Sequence, residues 1–292
     1  MNLVETPFFA KASGGPGRLI GNIFVDTGRL SSSDVAYILG VQKEDGKRFG
    51  EIAIDLGLLC EDDIRFALSS QFEYPYLTVD DTSLSHELVA AYQPFSPVVE
   101  QLRALRSQLM LRWFDAVVER KTLAVVSPGK GEGRSFMAAN LAIVFAQLGQ
   151  RTLLVDADMR NPRQHELFRL GNRAGLSGIL AGRAGVEAIM PVRSLQTLSV
   201  LPAGAVPPNP QELLGRPVFI ETLYLYSRDF DVVIMDTPAG SEYADAQTIA
   251  ARAGAALVLA KRNQTSLSDI AQLTRNLRQS DATLVGAVLN DG

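Results

Sequence analysis

The chain has 292 residues, a formal net charge of −4 and a single cysteine, Cys60. This length suffices for one large domain and a smaller one. The acidic balance argues against a nucleic-acid partner, and one cysteine excludes an intrachain disulfide or a cysteine-rich metal site. We see no signal peptide and no apolar run of about 20 residues, so we expect no transmembrane segment and a cytoplasmic location.

Residues 18–80 contain an internal repeat. The matching positions are Gly21, Gly28, Val35, Leu39 and Gln42 in the first copy, and Gly50, Gly57, Ile64, Leu68 and Gln71 in the second. Each copy is predicted to form a short amphipathic helix, a turn at its second glycine and another helix. One copy cannot bury its apolar face alone, so the two are expected to pack together. We predict a small, mostly helical repeat domain at 1–82, with a structural or docking module as an open alternative.

Residues 83–97 are predicted to be a linker because Pro94 and Pro97 stand among polar and aromatic residues, although 84–92 could form a short helix. The main domain, 98–292, begins with a helix and then alternates strands with helices. Strands are predicted at 122–126, 152–156, 198–201, 232–236, 256–260 and 283–289. Near-continuous aliphatic strands separated by helices indicate an α/β fold with a mainly parallel sheet flanked by helices.

A glycine-rich stretch at 127–135, Ser-Pro-Gly-Lys-Gly-Glu-Gly-Arg-Ser, lies between the first strand and a helical pattern that starts at Phe136. Strand, glycine-rich turn and helix is the arrangement of a phosphate-binding loop, in which backbone N–H groups and a helix N-terminus face the anion. The predicted nucleotide contacts here are Gly129, Lys130, Gly131, Glu132, Gly133, Arg134, Ser135 and Phe136. The alternative is a tight turn that binds no ligand.

Acidic residues follow two other strands. Asp156 and Asp158 lie on the same side of an extended segment, where two carboxylates can hold Mg²⁺ and one can accept a proton. Asp236 ends another apolar strand and is predicted to be a further magnesium partner, while Ser135 offers its hydroxyl to the metal. The alternatives are solvated turn acids and a helix-capping residue.

Together these motifs resemble the bacterial tyrosine kinases, which belong to the MinD/ParA-like group of P-loop proteins. The segment 154–160 matches the family's apolar-Asp-x-Asp-x-Arg motif, and 208–214 looks like its Pro-Asn-Pro-x-Glu-Leu-Leu stretch. The resemblance covers about residues 96–290 and is greatest to the EpsG-type kinases of exopolysaccharide chain-length determinants. The N-terminal repeat resembles the N-terminal domain of type II secretion and pilus ATPases.

The resemblance implies a P-loop NTPase that uses ATP and Mg²⁺ to phosphorylate tyrosine, with Asp156, Asp158 and Arg134 as catalytic residues. Asp156 would take the proton of the tyrosyl hydroxyl and also contact the metal. Asn290, which follows the last strand, would contact the nucleotide near its base. The implied partner is a membrane polysaccharide co-polymerase, which would place the chain peripherally at the inner membrane.

Two further residue sets take their roles from the resemblance. Glu100, Arg103 and Arg106 look like the family's Glu-x-x-Arg-x-x-Arg motif for homo-oligomerisation, and the alternative is an ion pair within one helix. Arg18 and Arg48 lie at the two repeat openings, where the secretion ATPases can bind cyclic di-GMP. Arg18 is displaced by one residue from that pattern, so cyclic di-GMP is only a candidate ligand.

Three departures from the family keep other functions open. Arg134 stands where the family has lysine, the printed chain shows no terminal tyrosine cluster, and the signature lysine of the MinD/ParA branch is replaced by Gly129. The alternatives to an autokinase are a regulatory ATPase or pseudokinase switch, and a binding module that uses ATP structurally. A DNA-partitioning role is disfavoured because there is no basic patch.

Overall fold

The computed structural model describes residues 19–61, 63–64, 67, 76–78, 80–114 and 120–291. The chain divides into two compact units, Met1–Pro75 and Tyr76–Gly292. This division falls earlier than the predicted boundary at residue 82. The segment predicted as a linker at 83–97 differs most, because Leu84, Leu88 and Tyr92 are buried in the core of the second unit.

Among the described residues of the first unit, helices run over α1 (Ile20–Asp26), α2 (Ser32–Asp45) and α3 (Phe49–Asp55), and Glu61, Asp63, Ile64 and Ala67 are also helical. Equivalent positions of the two repeat copies adopt the same local structure. Gly28 and Gly57 have φ values of 70° and 68°, a left-handed turn that favours glycine. Likewise, the backbone N–H of Ser31 donates to Asp34, and that of Cys60 donates to Asp63, each at 2.8 Å.

Equivalent glycines of the two repeat copies also have the same role in packing. A Cβ at Gly21 would lie 2.9 Å from a methyl of Val35, and a Cβ at Gly50 would lie 3.1 Å from a methyl of Ile64. Each glycine therefore permits the close approach of two helices in its own copy. The two copies share a core in which α1 and α3 are joined by the stacked rings of Phe24 and Phe49, 6.3 Å apart.

The second unit is built on a seven-stranded sheet with the order β3-β4-β2-β5-β1-β6-β7. Its strands are β1 (Thr122–Val126), β2 (Thr152–Asp156), β3 (Met190–Pro191), β4 (Leu198–Leu201), β5 (Val232–Asp236), β6 (Ala255–Lys261) and β7 (Thr283–Asn290). All pairings are parallel except that of β3 with β4. The predicted fold class is confirmed, and β3 is the one short edge strand that the sequence pattern did not indicate.

Helices cover the sheet. They are α4 (Val89–Tyr92), α5 (Pro97–Arg112), α6 (Arg134–Gln147), α7 (Gln164–Leu167), α8 (Leu176–Leu180), α9 (Pro210–Leu214), α10 (Pro217–Asp229), α11 (Asp245–Ala253) and α12 (Leu267–Gln279). Within the described ranges, none of the helices is long and apolar enough to cross a bilayer.

Buried polar side chains of α6 hold α4 against this helix. Asn140 accepts a hydrogen bond from the N–H of Ala90 at 2.9 Å, and Gln147 donates to the carbonyl of Ala90 at 2.8 Å. These contacts join residues 50 and more positions apart, which explains why the local sequence of 83–97 resembled a linker.

Candidate nucleotide-binding site

The glycine-rich loop connects the carboxyl end of β1 to the N-terminus of α6, as its sequence predicts. Gly131 and Gly133 have φ values of 69° and 98°, so both sit where a side chain is disfavoured. The first N–H groups of α6 have no partner within the helix and carry the positive end of its dipole. The backbone at Arg134 and Ser135 therefore faces the loop as an anion site.

Glu132 braces the loop from within. Its side chain is 2% exposed and accepts hydrogen bonds from the N–H of Gly129, at 2.7 Å, and from the hydroxyl of Thr265. Asn290, at the end of β7, donates to the carbonyl of Glu132 at 3.1 Å. Glu132 and Asn290 were both predicted to contact the nucleotide, and the structure places both against the protein's own loop.

We expect Gly133→Ala to weaken nucleotide binding at least about tenfold. A Cβ there would lie 2.6 Å from Nδ2 of Asn290, and a positive φ costs a non-glycine residue about 1–3 kcal/mol. Titration with a fluorescent ATP analogue measures the loss. Gly149→Ala is the matched control, because Gly149 also has a positive φ, 86°, but nothing lies within 4 Å of its Cβ position. Equal losses in both variants would contradict the role given to Gly133.

Arg134 is turned inward. Its Nε donates to the carbonyl of Thr237 at 2.7 Å, and one Nη donates to the hydroxyl of Ser127 and the carbonyl of Gly129, each at 2.5 Å. The side chain was predicted to contact the nucleotide, and in the structure it ties the loop to the segment after β5. These three protein oxygens satisfy the donors of Nε and one Nη, which a buried guanidinium requires.

Two lysines stand at the rim of the loop. Lys130, predicted as a nucleotide contact, forms an ion pair with Glu242 at 2.8 Å, which raises the pKa of Lys130. Lys261, at the end of β6, places its Nζ 3.5 Å from the carbonyl of Gly131. Positive charge near the phosphate position thus comes from exposed lysines, while the arginine of the motif is buried.

Asp156 and Asp236 are directly opposed on the neighbouring strands β2 and β5, and both side chains are fully buried. One oxygen of Asp156 accepts hydrogen bonds from the N–H groups of Arg163, at 3.0 Å, and Gln164, at 2.9 Å. The side-chain amide of Gln164 donates to Asp236 at 2.8 Å. Gln164 thereby bridges both carboxylates, a role that no sequence motif indicated.

Burial raises the pKa of Asp156 well above its usual value, and the charge of Asp236 raises it further. Burial also raises the pKa of Asp236, to about 6, against the opposing hydrogen bonds from Gln164 and Ser135 and the charge of Arg134. Two buried carboxylates this close are disfavoured as anions unless a cation or a proton compensates them.

The unused oxygens of this pair fit a divalent cation. Within the described part of the chain, one oxygen each of Asp156, Asp236 and Gln164 is buried without a hydrogen-bond partner. Oxygen ligands suit Mg²⁺, which takes one or two carboxylates and completes its shell with phosphates and water. Accordingly, no group of three His, Cys, Asp or Glu side chains among the described residues forms a metal cage by itself. Asp156, Asp236 and Ser135 are residues that could hold the ion, and the metal role predicted for Asp158 stays a prediction.

Asp158 has a different local role from Asp156. One of its oxygens accepts the N–H groups of Arg160, at 3.1 Å, and Asn161, at 2.9 Å, so the carboxylate shapes the turn after β2. Arg160 in turn pairs with Asp245 at 2.7 Å and lies 3.7 Å from the ring centre of Tyr243. Asp245 and Tyr243 were not predicted, since their distance from Arg160 in the sequence hides the contact.

The predicted oligomerisation residues lie on α5. Arg103 pairs with Glu100 at 3.1 Å, as expected of neighbours on one helical face. Arg106 differs from a free surface contact because its Nη1 donates to the carbonyl of Val144 on α6 at 2.8 Å. Arg106 therefore fastens two helices of one chain.

The candidate cyclic di-GMP residues gain no support. Arg18 lies outside the described residues, and Arg48 is an exposed residue immediately before α3. Among the tyrosines of the chain, Tyr74 also lies outside the described residues. Tyr226 is buried, which raises its pKa, so its hydroxyl is not accessible as a substrate.

Comparison with known proteins agrees with this geometry. Residues 119–291 match a family model described as ParA, NUBPL iron-transfer P-loop NTPase. Tyrosine-protein kinase YwqD of Bacillus subtilis is 34% identical over 207 residues, which cover 71% of this chain and 86% of the relative. Tyrosine-protein kinase Wzc of Salmonella typhimurium is 33% identical over 70% of this chain but only 28% of its own length. The putative tyrosine-protein kinase EpsB of Ralstonia solanacearum is 34% identical, and the match likewise covers only 27% of its length.

Solved structures show the same likeness. The chimerical protein CapA2B2 has a TM-score of 0.66 and 31% identity, covering 79% of this chain and 98% of that one. The kinase domain of Escherichia coli tyrosine kinase ETK has the same TM-score and identity over 70% of this chain and 79% of that one. A MinD complexed with Mg-ADP from Pyrococcus horikoshii, at 22% identity and a TM-score of 0.51, shares the fold.

Proposed function

This chain belongs to the bacterial tyrosine-kinase-like P-loop NTPases of the ParA/MinD type, and from that membership we propose that it is an ATP-dependent tyrosine autokinase. One observation carries the proposal. A glycine loop at a helix N-terminus lies at the same edge of the sheet as two buried carboxylates whose free oxygens lack a partner. That combination provides one place for phosphates and an adjacent place for a divalent cation.

The proposed roles follow from the positions of the side chains. Backbone N–H groups from Gly131 to Ser135 hold the β- and γ-phosphates, and Mg²⁺, when bound, neutralises charge on the phosphate oxygens. Asp156 has a raised pKa, which suits a group that accepts the proton of an incoming tyrosyl hydroxyl. Asp236 orients Ser135 and Gln164, and Asp158 maintains the turn that carries Arg163 and Gln164.

Incubation of the whole chain with ATP and Mg²⁺, followed by mass spectrometry and an ADP-release assay, tests the proposal. We expect phosphotyrosine in the wild-type protein. We expect Arg134→Lys to preserve or raise turnover, because lysine keeps a donor for the carbonyl of Gly129 and gives up the bond from Nε to Thr237. If Arg134→Lys instead abolishes nucleotide binding, lysine does not replace the contacts by which Arg134 holds the loop, and the expectation for this variant is wrong.

A regulatory ATPase or pseudokinase switch is the second candidate, and the inward Arg134 favours it. Three protein oxygens already accept from Nε and one Nη, so this part of the guanidinium is not free to follow charge that develops on the transferred phosphoryl group. ADP release without phosphotyrosine would support this candidate. Nucleotide binding with neither product would leave a binding module.

We also propose that the chain acts with a membrane polysaccharide co-polymerase of the chain-length-determinant class, as a cytoplasmic protein held peripherally at the inner membrane. The support is its similarity to the family and the Pro-Asn-Pro stretch at 208–214. Membrane flotation of the full chain, with and without the co-expressed co-polymerase, tests it. Flotation that does not depend on the co-polymerase would contradict the proposal.

Homo-oligomerisation through α5 is proposed from the same similarity. We expect Glu100→Lys to lower the mass measured by light scattering, because Glu100 is largely exposed and its charge would then repel Arg103. Reversal at Arg106 is a poor test, since it would also break the bond to Val144 within the chain. An unchanged mass for the Glu100 variant would contradict a role for this face.

A further inference from the structure

A separate cavity of about 850 Å³ opens beside the region that follows β4. One wall is α8 with the turn after it, and the other is the segment 205–213, which includes the start of α9. Arg173, Arg183 and Arg216 line it together with one carboxylate, Glu212. The volume lies in the range of about 300–1,000 Å³ that is usual for ligand sites.

The walls of this cavity are held together by backbone contacts. The N–H groups of Leu176 and Ser177 donate to the carbonyls of Pro202 and Ala203, both at 2.8 Å, and the hydroxyl of Ser177 donates to the carbonyl of Ala205 at 2.7 Å. A Cβ at Gly175 would lie 2.3 Å from the carbonyl oxygen of Pro202, so only glycine permits this approach. The cavity is therefore preformed, which lowers the entropy cost of binding.

The charge of the lining is unbalanced. In the described part of the chain, the exposed side chains of Arg173 and Arg183 have no hydrogen-bond or ion-pair partner, and that of Arg216 donates one bond, to the carbonyl of Leu180 at 3.3 Å. The lining thus contains three guanidinium groups and one carboxylate. Guanidinium groups in a concave site match the geometry of a phosphate group better than that of a single carboxylate oxygen.

Apart from Ser177 and Asn209, the remaining lining has no polar side chain. Val206, Pro207 and Pro208 form one side of the opening, and Val206 is 61% exposed. An apolar surface beside arginines suits a ligand that carries an anion on a hydrophobic body. An aromatic ring that bears a phosphate combines both features, whereas inorganic phosphate and aliphatic acids satisfy only the charge.

We propose that this cavity binds a phosphotyrosyl side chain of a peptide and so docks a tyrosine-containing segment for the nucleotide site. The docking role rests on the proposed kinase function, and the binding itself does not. The cavity lies at the carboxyl end of β4, three strand spacings from β1 and its loop, which is about 14 Å along the sheet edge. An extended peptide covers that distance in about four residues, so a second tyrosine four or five positions away would reach the phosphates.

Fluorescence anisotropy with the full chain and no nucleotide tests the binding. The probes are one labelled peptide in a neutral Gly/Ser frame that carries phosphotyrosine, tyrosine, phosphoserine or glutamate at a single position. We expect the phosphotyrosyl probe to bind at least about tenfold more tightly than each of the others. Inorganic phosphate is expected to compete only weakly, because it lacks the ring.

Two variants locate the site. Arg173→Ala/Arg183→Ala is expected to weaken the phosphotyrosyl probe at least tenfold, and Val206→Glu to weaken it similarly through repulsion. Arg275→Ala/Arg278→Ala on α12 is the matched control, since it removes two exposed charges far along the sequence from the cavity and should change binding less than twofold. Thermal melts verify that all variants fold.

Equal binding of the tyrosine or phosphoserine probe, or equal losses in the α12 control, would overturn the proposal. Since no nucleotide is present, tight phosphotyrosyl binding by a chain that makes no phosphotyrosine would overturn the kinase function and the docking role, and would leave the binding site standing.

Discussion

Asp156→Asn is expected to reduce ATP turnover at least about a hundredfold while raising the Tm of the metal-free protein. The loss follows because an amide can neither accept a tyrosyl proton nor carry the charge that a cation needs, and general-base catalysis contributes about 10²- to 10⁴-fold. The gain in stability follows because the buried carboxylate faces Asp236 without a compensating cation of its own. Asparagine can still accept the two N–H groups of Arg163 and Gln164 through its carbonyl oxygen.

Asp231→Asn is the contrasting control. Asp231 pairs with Arg151 at 2.7 Å, and that guanidinium lowers the pKa of the carboxyl. Because the pair is partly exposed, its loss should lower stability by only about 1 kcal/mol and leave turnover unchanged. Steady-state ADP release and thermal melts in EDTA give both readings. Turnover of Asp156→Asn within threefold of the wild type would exclude Asp156 from the reaction, and a collapse of its Tm would show that the loss is structural.

The pH dependence of stability should change in Asp236→Asn. We expect the free energy of unfolding of this variant to increase relative to that of the wild type as pH rises from about 4 to about 6. The folded-state pKa of Asp236 is raised to about 6 from 3.8, so in this window the folded wild type holds a proton that the unfolded chain has lost. Its free energy of unfolding therefore falls as pH rises, by about 3 kcal/mol for a shift of this size, and is level above the window.

Asparagine at this position does not titrate, and its oxygen can still accept the amide of Gln164. The difference in unfolding free energy between the two proteins, measured by urea denaturation in EDTA, should thus be near zero at pH 4 and largest above pH 6. Taking the difference cancels the groups with lowered pKa, such as Asp231, whose contributions run in the opposite direction. A difference that is constant with pH would show that Asp236 titrates normally.

Both predictions describe a site that is unfavourable without its ligands. The carboxylates of Asp156 and Asp236 are buried together, and three side-chain oxygens at the site lack a donor. In addition, Nε and one Nη of Arg134 donate to protein oxygens. A bound cation would compensate the buried carboxylates, whereas neither the cation nor a nucleotide would change the contacts of Arg134. We therefore expect ligand binding to stabilise the carboxylate pair and to leave Arg134 in place. For this reason Arg134→Lys can change turnover without changing nucleotide affinity.

Local sequence predicts the core strands of the second unit, because each is a short run of apolar residues that is buried on both faces, whereas the two-residue edge strand β3 has no such run. It also determined the glycine loop, whose positive φ angles are open to few residues other than glycine, and the two acids that end β2 and β5. Local chemistry suffices for these features, since each depends on neighbours within a few positions.

The hydrogen-bond partners of the site residues depend on the tertiary structure. Gln164 bridges two carboxylates from different strands, Glu132 turns inward to Gly129 and Thr265, and Arg134 reaches Thr237, more than 100 positions away. The segment at 83–97 joined the core for the same reason, through Asn140 and Gln147 of a distant helix. Such contacts arise because the strand order brings distant segments together. Residue type and spacing along the chain do not specify toward which of these segments a buried polar side chain points.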